Sequence, residues 1–219
     1  MKNLITLFLL CTSFAYGDYK IETLSTSPKI MLIHEFVTDE ECEYLIREAS
    51  PHLERAVVID TEGKKSEGLI DDQRTSDGAY LVNFNEPILH RIEKRIAELT
   101  KIPIENGEPI HVLHYKKGGE FKPHYDYFDL STPGGKECAE IGGQRLASLV
   151  IYLNTPKKGG ETAFPKANVS IVPKKRDALL FYNCLPNGET DPLSLHGGSP
   201  VLEGEKWIAN KWIRARKYR

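Results

Sequence analysis

From residue 110 onward the chain breaks into short runs with strand character, at residues 110–115, 121–128, 146–153, 169–172, 178–183, around Val201 and at 206–214. Turn signals such as Lys158-Gly159-Gly160-Glu161, Pro186-Asn187-Gly188 and Glu203-Gly204 separate them. Many short strands in succession lead to a double-sheet jelly roll, and the helical texture ahead of residue 110 leads to helices that support it. The expected class is therefore α+β: a double-sheet jelly roll with N-terminal supporting helices.

The supporting part reads in order. After a short polar stretch, residues 29–33 form a strand pattern, and Thr38 with Glu41 makes a capping box for a helix, with Val37 packing on Cys42 as a staple. Cys42, Leu45, Ile46 and Ala49 recur at helical spacing, and Pro51 ends the run. Residues 56–59 read as a strand. The polar, Gly-containing stretch 60–78 cannot build a core, so it is a loop; a lid or binding segment and an idle surface loop both remain open. Residues 85–100 read as a second amphipathic helix with Pro87 in its first turn and Ile88, Leu89, Ile92, Ile96 and Leu99 on one side.

Residues 1–17 have the layout of a secretory signal: Lys2, the apolar run Leu4 to Leu10, then small residues ending Ala15-Tyr16-Gly17. The apolar run is too short to span a bilayer comfortably, so no stable membrane span is expected. The remainder, 18–219, reads as one domain without internal repeats. A secretory route follows, whether periplasm, endoplasmic reticulum lumen or extracellular space. Once the leader is removed, Cys42, Cys138 and Cys184 remain, enough for at most one intramolecular disulfide. A net charge of -2 argues against general electrostatic binding of nucleic acid, and the basic stretch 211–219 reads as a solvated end.

Chemistry enters at Phe121-Lys122-Pro123-His124-Tyr125-Asp126-Tyr127-Phe128. On a strand, His124 and Asp126 share one face while Tyr125 and Tyr127 share the other. An imidazole and a carboxylate suit a first-row divalent ion, and one more His completes the 2-His-1-carboxylate face of non-haem Fe(II). His34, His52, His90 and His111 lie well upstream in helical or ordinary strand contexts, and His114 reads as a plain strand residue. His196 differs: it opens His196-Gly197-Gly198-Ser199-Pro200, where glycines let backbone come close to something. In residues 206–214, parity puts Lys206, Ile208, Asn210 and Trp212 on one face. If Ile208 and Trp212 face the core, so does the Lys206 ammonium, which then needs an anion. A bound dicarboxylate would supply one, chelating the metal at its other end, with Tyr115 adding a hydroxyl donor. A lysine snorkelling from a strand end is the other reading.

Taken together, His124-x-Asp126, His196, Lys206 and Tyr115 make the chain resemble the Fe(II)- and 2-oxoglutarate-dependent dioxygenases, and more narrowly the prolyl 4-hydroxylase catalytic domain in its short plant and algal form. Matching text runs over nearly everything after the leader, including residues 28–46, 53–55, 74–78, 113–115, 123–128, 143–145, 159–162, 195–197 and 210–213. The resemblance implies that the α+β jelly roll is a double-stranded β-helix (jelly roll) with N-terminal supporting helices, with Fe(2+) on His124, Asp126 and His196, 2-oxoglutarate held by Lys206 and Tyr115, O2 as co-substrate and L-ascorbate keeping the iron reduced. It further implies proline-containing peptides as substrate, Arg145 in peptide binding, Trp212 lining the site and residues 74–78 closing over the peptide. Phe121 departs from the family pattern, which often has Tyr there. Other readings stay open: a dioxygenase of this fold acting on another residue or a small molecule, and a jelly-roll binding module without turnover. A zinc hydrolase would leave an inward Lys206 unexplained.

Overall fold

The computed structural model describes residues 13–16, 19–58 and 68–219. The expected leader, 1–17, lies outside the described residues except for 13–16, and positions 60–67 of the expected loop lie outside them too. In chain order the strands are β1 (Ser13–Tyr16), β2 (Tyr19–Thr26), β3 (Lys29–Ile33), β4 (Glu54–Arg55), β5 (Asp77–Leu81), β6 (Ile110–Tyr115), β7 (Phe121–His124) and β8 (Arg145–Tyr152). There follow β9 (Lys158–Gly159), β10 (Thr162–Phe164), β11 (Val169–Ile171), β12 (Ala178–Tyr182), β13 (His196–Gly198), β14 (Val201–Glu203) and β15 (Lys206–Arg214). The helices are α1 (Asp39–Ala49), α2 (Pro87–Thr100) and α3 (Pro133–Glu140).

The major sheet has nine strands in the order β1-β2-β3-β12-β8-β15-β6-β5-β4, and the minor sheet four, β11-β10-β13-β7. Among the described residues every strand pairing is antiparallel. Side-chain alternation sorts the major sheet into two faces. Val112, Leu149, Ile151, Leu180, Ala209 and Ile213 share a cluster with Cys42, Leu45, Ile92 and Ile96 of α1 and α2. Leu113, Tyr115, Val150, Tyr152, Phe181 and Ile208 share the other with Phe164 and Ile171 of the minor sheet. Burying each such Leu, Ile or Phe is worth about 1.5–3 kcal/mol, so the two-faced pattern holds helices outside and a second sheet inside. This is the expected α+β jelly roll.

The helices start where the sequence signals them. Thr38 Oγ1 accepts from Glu41 N at 3.2 Å while Glu41 Oε2 accepts from Thr38 N at 3.0 Å, completing the capping box. The same Glu41 carboxylate pairs with Arg95 of α2, tying the helices together. The second helix begins at Pro87 rather than 85 and runs to Thr100.

Several expectations are corrected. The polar stretch before residue 29 is strand β2, half-buried along most of its length with Ile21 its buried residue, because it lies toward the edge of the sheet. Of the expected strand 56–59, Ile59 lies outside the described residues, and 56–58 form no strand: β4 lies earlier, at 54–55, and a single bridge joins Val58 to Leu69. Asp77 and Gly78 belong to β5 rather than the loop, paired with His114 and Leu113. Residues 162–164, not foreseen as a strand, form β10, and α3 was not foreseen at all: Gly134 and Gly135 depress its helix propensity. Thr132 caps it nonetheless, accepting from Gly135 N at 3.1 Å. The expected strand 121–128 stops at His124. Its neighbour β13 is three residues long and its register ends at His196↔His124, leaving nothing for later residues to pair with. Past that point the Gln144 amide takes over, bonding both Phe128 N at 2.7 Å and Phe128 O at 2.8 Å.

Candidate active site

The β7–β13 register sets His124 directly opposite His196, with ring centroids 4.4 Å apart. Asp126 follows in the bend after β7, its Oδ1 3.5 Å from His124 Nε2 and its Oδ2 3.6 Å from His196 Nε2. One ligand atom from each of the three lies within 4.8 Å of the others. Both imidazoles are oriented by backbone: His124 Nδ1 lies 2.9 Å from Lys122 O and His196 Nδ1 3.0 Å from Ser194 O. Since a carbonyl only accepts, each Nδ1 carries the proton and each Nε2 lone pair is turned inward, the arrangement a metal-binding His requires.

Electrostatics favour the ligating protonation states. Burial, reinforced by His124, lowers the pKa of His196 to about 4, so it is neutral at physiological pH. Burial pushes the Asp126 carboxyl up, but His196, His124 and Arg145 outweigh it, and Asp126 sits well below the usual carboxylate range. Ser148 Oγ donates to Asp126 Oδ2 at 2.6 Å and accepts from Asn183 Nδ2 at 2.9 Å.

Lys206 occupies the inner face, as parity predicts. It is paired in register with Tyr115 across β15 and β6, is 3% exposed, and its Nζ lies 5.6 Å from the centroid of the Tyr115 ring. Among the described residues its ammonium has no ion-pair or hydrogen-bond partner; burial lowers its pKa to about 8, with Glu161 pulling weakly the other way. Gly198, two residues past His196, has its Cβ direction 3.6 Å from Lys206 Nζ. Across the minor sheet from Gly198 sits Thr162, whose Oγ1 accepts from the buried Tyr152 hydroxyl at 2.9 Å. A buried cation without an anion, next to a metal-type cluster and buried hydroxyls, fits a bound dicarboxylate.

His124 and Asp126 also line an open cleft of about 1150 Å³, walled by Tyr80, Phe121, Tyr125, Tyr127, Phe128 and Trp212. Arg145 and Trp212 meet there, with the guanidinium 3.8 Å from the Trp212 ring centroid. Arg145 is more committed than the sequence suggested: Nε and Nη2 bond Glu108 at 2.7 and 2.8 Å, leaving Nη1 for the cleft. Phe121 stacks on His124 with centroids 3.5 Å apart, and the Arg74 guanidinium lies 4.8 Å from the centroid of the same Phe121 ring. Arg74, 4% exposed, bonds Ser76 Oγ and Val57 O, and its Nη2 has no partner among the described residues. His114 faces outward, stacked on Trp207 at 4.1 Å and 2.8 Å from Glu205, as a plain strand residue would be. Sequence reading missed Ser148, Asn183, Thr162, Tyr152 and Glu108. Ser148 is the one small polar side chain within the otherwise aliphatic and aromatic run 146–153, which was the one available signal.

Residues 110–214 match the family model of the 2OG-Fe(II) oxygenase superfamily. The chain is 40% identical to Arabidopsis thaliana prolyl 4-hydroxylase 5 over 225 residues, spanning 93% of this chain and 74% of the relative. With Arabidopsis thaliana prolyl 4-hydroxylase 1 it shares 42% identity over 215 residues, 91% of this chain and 74% of the relative. A crystal structure of a viral collagen prolyl hydroxylase from Paramecium bursaria Chlorella virus-1, in complex with 2-oxoglutarate, superposes with a TM-score of 0.67 at 32% identity, covering 85% of this chain and 96% of that one. Fold and site thus define a 2-oxoglutarate-dependent dioxygenase that uses Fe(II). Within that class, the chain belongs to the prolyl 4-hydroxylase family.

Proposed function

We propose that the chain hydroxylates proline at C4 within peptide segments, with His124, Asp126 and His196 holding iron and Lys206 and Tyr115 holding the distal carboxylate of 2-oxoglutarate. The observation that carries the co-substrate assignment is the buried, unpartnered ammonium of Lys206 beside the His-Asp-His cluster. The donor set suits Fe(II), since three protein ligands leave coordination positions open for reactants. When bound, iron and 2-oxoglutarate would supply the oxidising chemistry together with O2, one oxygen atom going to the proline C–H and the other to succinate, while the C1 carboxylate of 2-oxoglutarate leaves as CO2.

The chain's own contribution is positional. The backbone carbonyls of Lys122 and Ser194 hold the imidazoles in one tautomer, Lys206 neutralises the inner carboxylate, and the Tyr115 and Thr162 hydroxyls offer it hydrogen bonds. The cleft's aromatic walls suit an extended polyproline II segment, which docks on aromatic grooves with little ordering entropy left to lose. A free amino acid or small molecule would leave most of the cleft uncovered, which favours a peptide over the alternative substrates. The viral relative is itself named as a collagen prolyl hydroxylase. L-ascorbate belongs to the proposal as the reductant that restores Fe(II).

The test is turnover by the full chain with Fe(II), 2-oxoglutarate and L-ascorbate against Pro-rich peptides, reading succinate and peptide mass together. One added oxygen per proline, matched by succinate, is expected. Brisk succinate formation with free amino acids or another residue type, and no oxidised proline, would overturn the substrate reading. The leader reading adds export: expressed with residues 1–17, the chain is expected to leave the cytosol and begin near Asp18, which N-terminal sequencing checks; Met1 on membrane-bound protein would count against it.

A further inference from the structure

Asp126 is the least anchored of the three ligands. His124 and His196 sit in paired strands, whereas Asp126 follows the end of β7 in a bend, outside any ladder. What fixes it comes from β8 and the residue just before it. Gln144 pins the backbone of Phe128 just beyond it, and Ser148 donates to its Oδ2 at 2.6 Å. Ser148 is 2% exposed, on the inner face of a strand whose inward neighbours Val150 and Tyr152 belong to the apolar core. A hydroxyl buried there is costly unless its hydrogen bonds are made.

The bond directions follow from chemistry. An ionised carboxylate only accepts, so Ser148 must donate to Asp126; its remaining acceptor capacity is met by the amide N–H of Asn183, which is fully buried. The result is a one-way relay, Asn183 to Ser148 to Asp126, that engages one carboxylate oxygen and leaves the other to the metal.

We infer that Ser148, backed by Asn183, is a positioning residue that keeps Asp126 a one-oxygen ligand of iron, so that the remaining coordination positions stay available to 2-oxoglutarate and O2. If Oδ2 were released, the carboxylate would lose its fixed direction, so iron would be held less tightly, and its second oxygen could intrude on a further position and compete with chelation by the co-substrate. Outer-shell partners of this kind typically change metal affinity or activity by about 10–100-fold when removed.

The inference rests on the metal centre proposed above, and the experiment lets the two fail separately. Under anaerobic conditions, Fe(II) is titrated into the metal-free full chain, followed by 2-oxoglutarate, with the visible charge-transfer band of the chelate as readout. Ser148→Ala should weaken Fe(II) binding about tenfold or more and raise the 2-oxoglutarate dissociation constant, while Ser148→Thr, which keeps the hydroxyl, restores both toward parent values. Asn183→Ala should shift both constants the same way by less, and it decides the matter if Ser148→Ala does not fold. A purely structural role would lower the melting temperature of the metal-free protein without moving either constant. Parent-like constants in Ser148→Ala, or in Asn183→Ala where that variant decides, overturn the relay alone. A parent chain that binds no Fe(II), or a His196→Ala variant that binds it normally, overturns the centre and the relay with it.

Discussion

At the scale of single residues, the strongest expectations concern charge. Replacing His124, Asp126 or His196 by Ala removes one of three ligand side chains, so each variant should lose 2-oxoglutarate turnover while melting as a folded protein; normal turnover in any of them with added Fe(II) would refute the assignment. Lys206→Ala removes a charge-assisted contact worth about 1.5–3 kcal/mol, so the apparent dissociation constant for 2-oxoglutarate should rise roughly tenfold to a hundredfold, with little change in peptide dependence. The lowered Lys206 pKa of about 8 gives that contact a pH signature. Below pH 8 the ammonium is already present and affinity should be flat. Above it the free protein loses the proton that the dicarboxylate needs, so affinity should fall toward tenfold per unit until the higher pKa of the bound state is passed. An anaerobic 2-oxoglutarate titration between pH 6.5 and 9.5 checks this, and a flat profile would place the carboxylate elsewhere. Lys206 was legible because strand parity with Ile208 and Trp212 requires it to point inward. Ser148 and Asn183 were not, because their partners lie 22 and 35 positions away and only the folded sheet brings them together.

Among the elements, the pairing of β7 with β13 sets the spacing of the two imidazoles, and glycine makes that pairing possible. A Cβ on Gly197 would come 2.8 Å from Phe121 O and 3.0 Å from Pro123 N, both backbone atoms that cannot rotate aside. Gly197→Ala should therefore push β7 off β13, lowering both the melting temperature and Fe(II) affinity; a variant with parent-like values of both would show that the strands tolerate the spread. The sequence carried this signal in His196-Gly197-Gly198 without saying which backbone approached. Helices α1 and α2 were legible because a capping box, a first-turn proline and 3.6-residue periodicity all agree within a few residues. Strand ends were less so. The length of β7 is fixed by its three-residue partner and by Gln144, neither of which is encoded in residues 121–128 themselves. Helix α3 is hidden for a related reason: Gly135 is needed there because its Cβ would meet Asp129 O at 2.0 Å, and the same glycine masks the helix pattern.

For the molecule as a whole, substrate choice depends on how the cleft joins the metal centre, and Arg145 stands at that junction. Its guanidinium is bidentate on Glu108, covers the Trp212 ring and contributes to holding Asp126 ionised, while Glu108 is also bonded by Arg214 at 2.8 Å. With Nε and Nη2 already committed to Glu108, Arg145 has one free edge to offer, suited to a single acceptor such as a peptide carbonyl rather than to the two-pronged grip a carboxylate takes. Neutral Pro-rich peptides should therefore suffice as substrates, without an acidic residue beside the proline. Arg145→Ala should raise peptide KM while uncoupled decay of 2-oxoglutarate persists, but it also leaves buried Glu108 with Arg214 alone. Breaking a buried pair costs about 3–5 kcal/mol, and the remaining partner should keep the loss toward the lower end of that range. Arg145→Lys separates the two effects, because it keeps a charge near Glu108 yet lacks the planar fork that stacks on Trp212 and reaches two ways at once. The expected pattern is a raised peptide KM in both variants with a melting temperature lowered chiefly in Arg145→Ala, measured well below either transition. Unchanged peptide KM in both would mean that the peptide runs along the aromatic wall without touching Arg145, leaving Tyr80, Tyr125 and Tyr127 as the surfaces that read it.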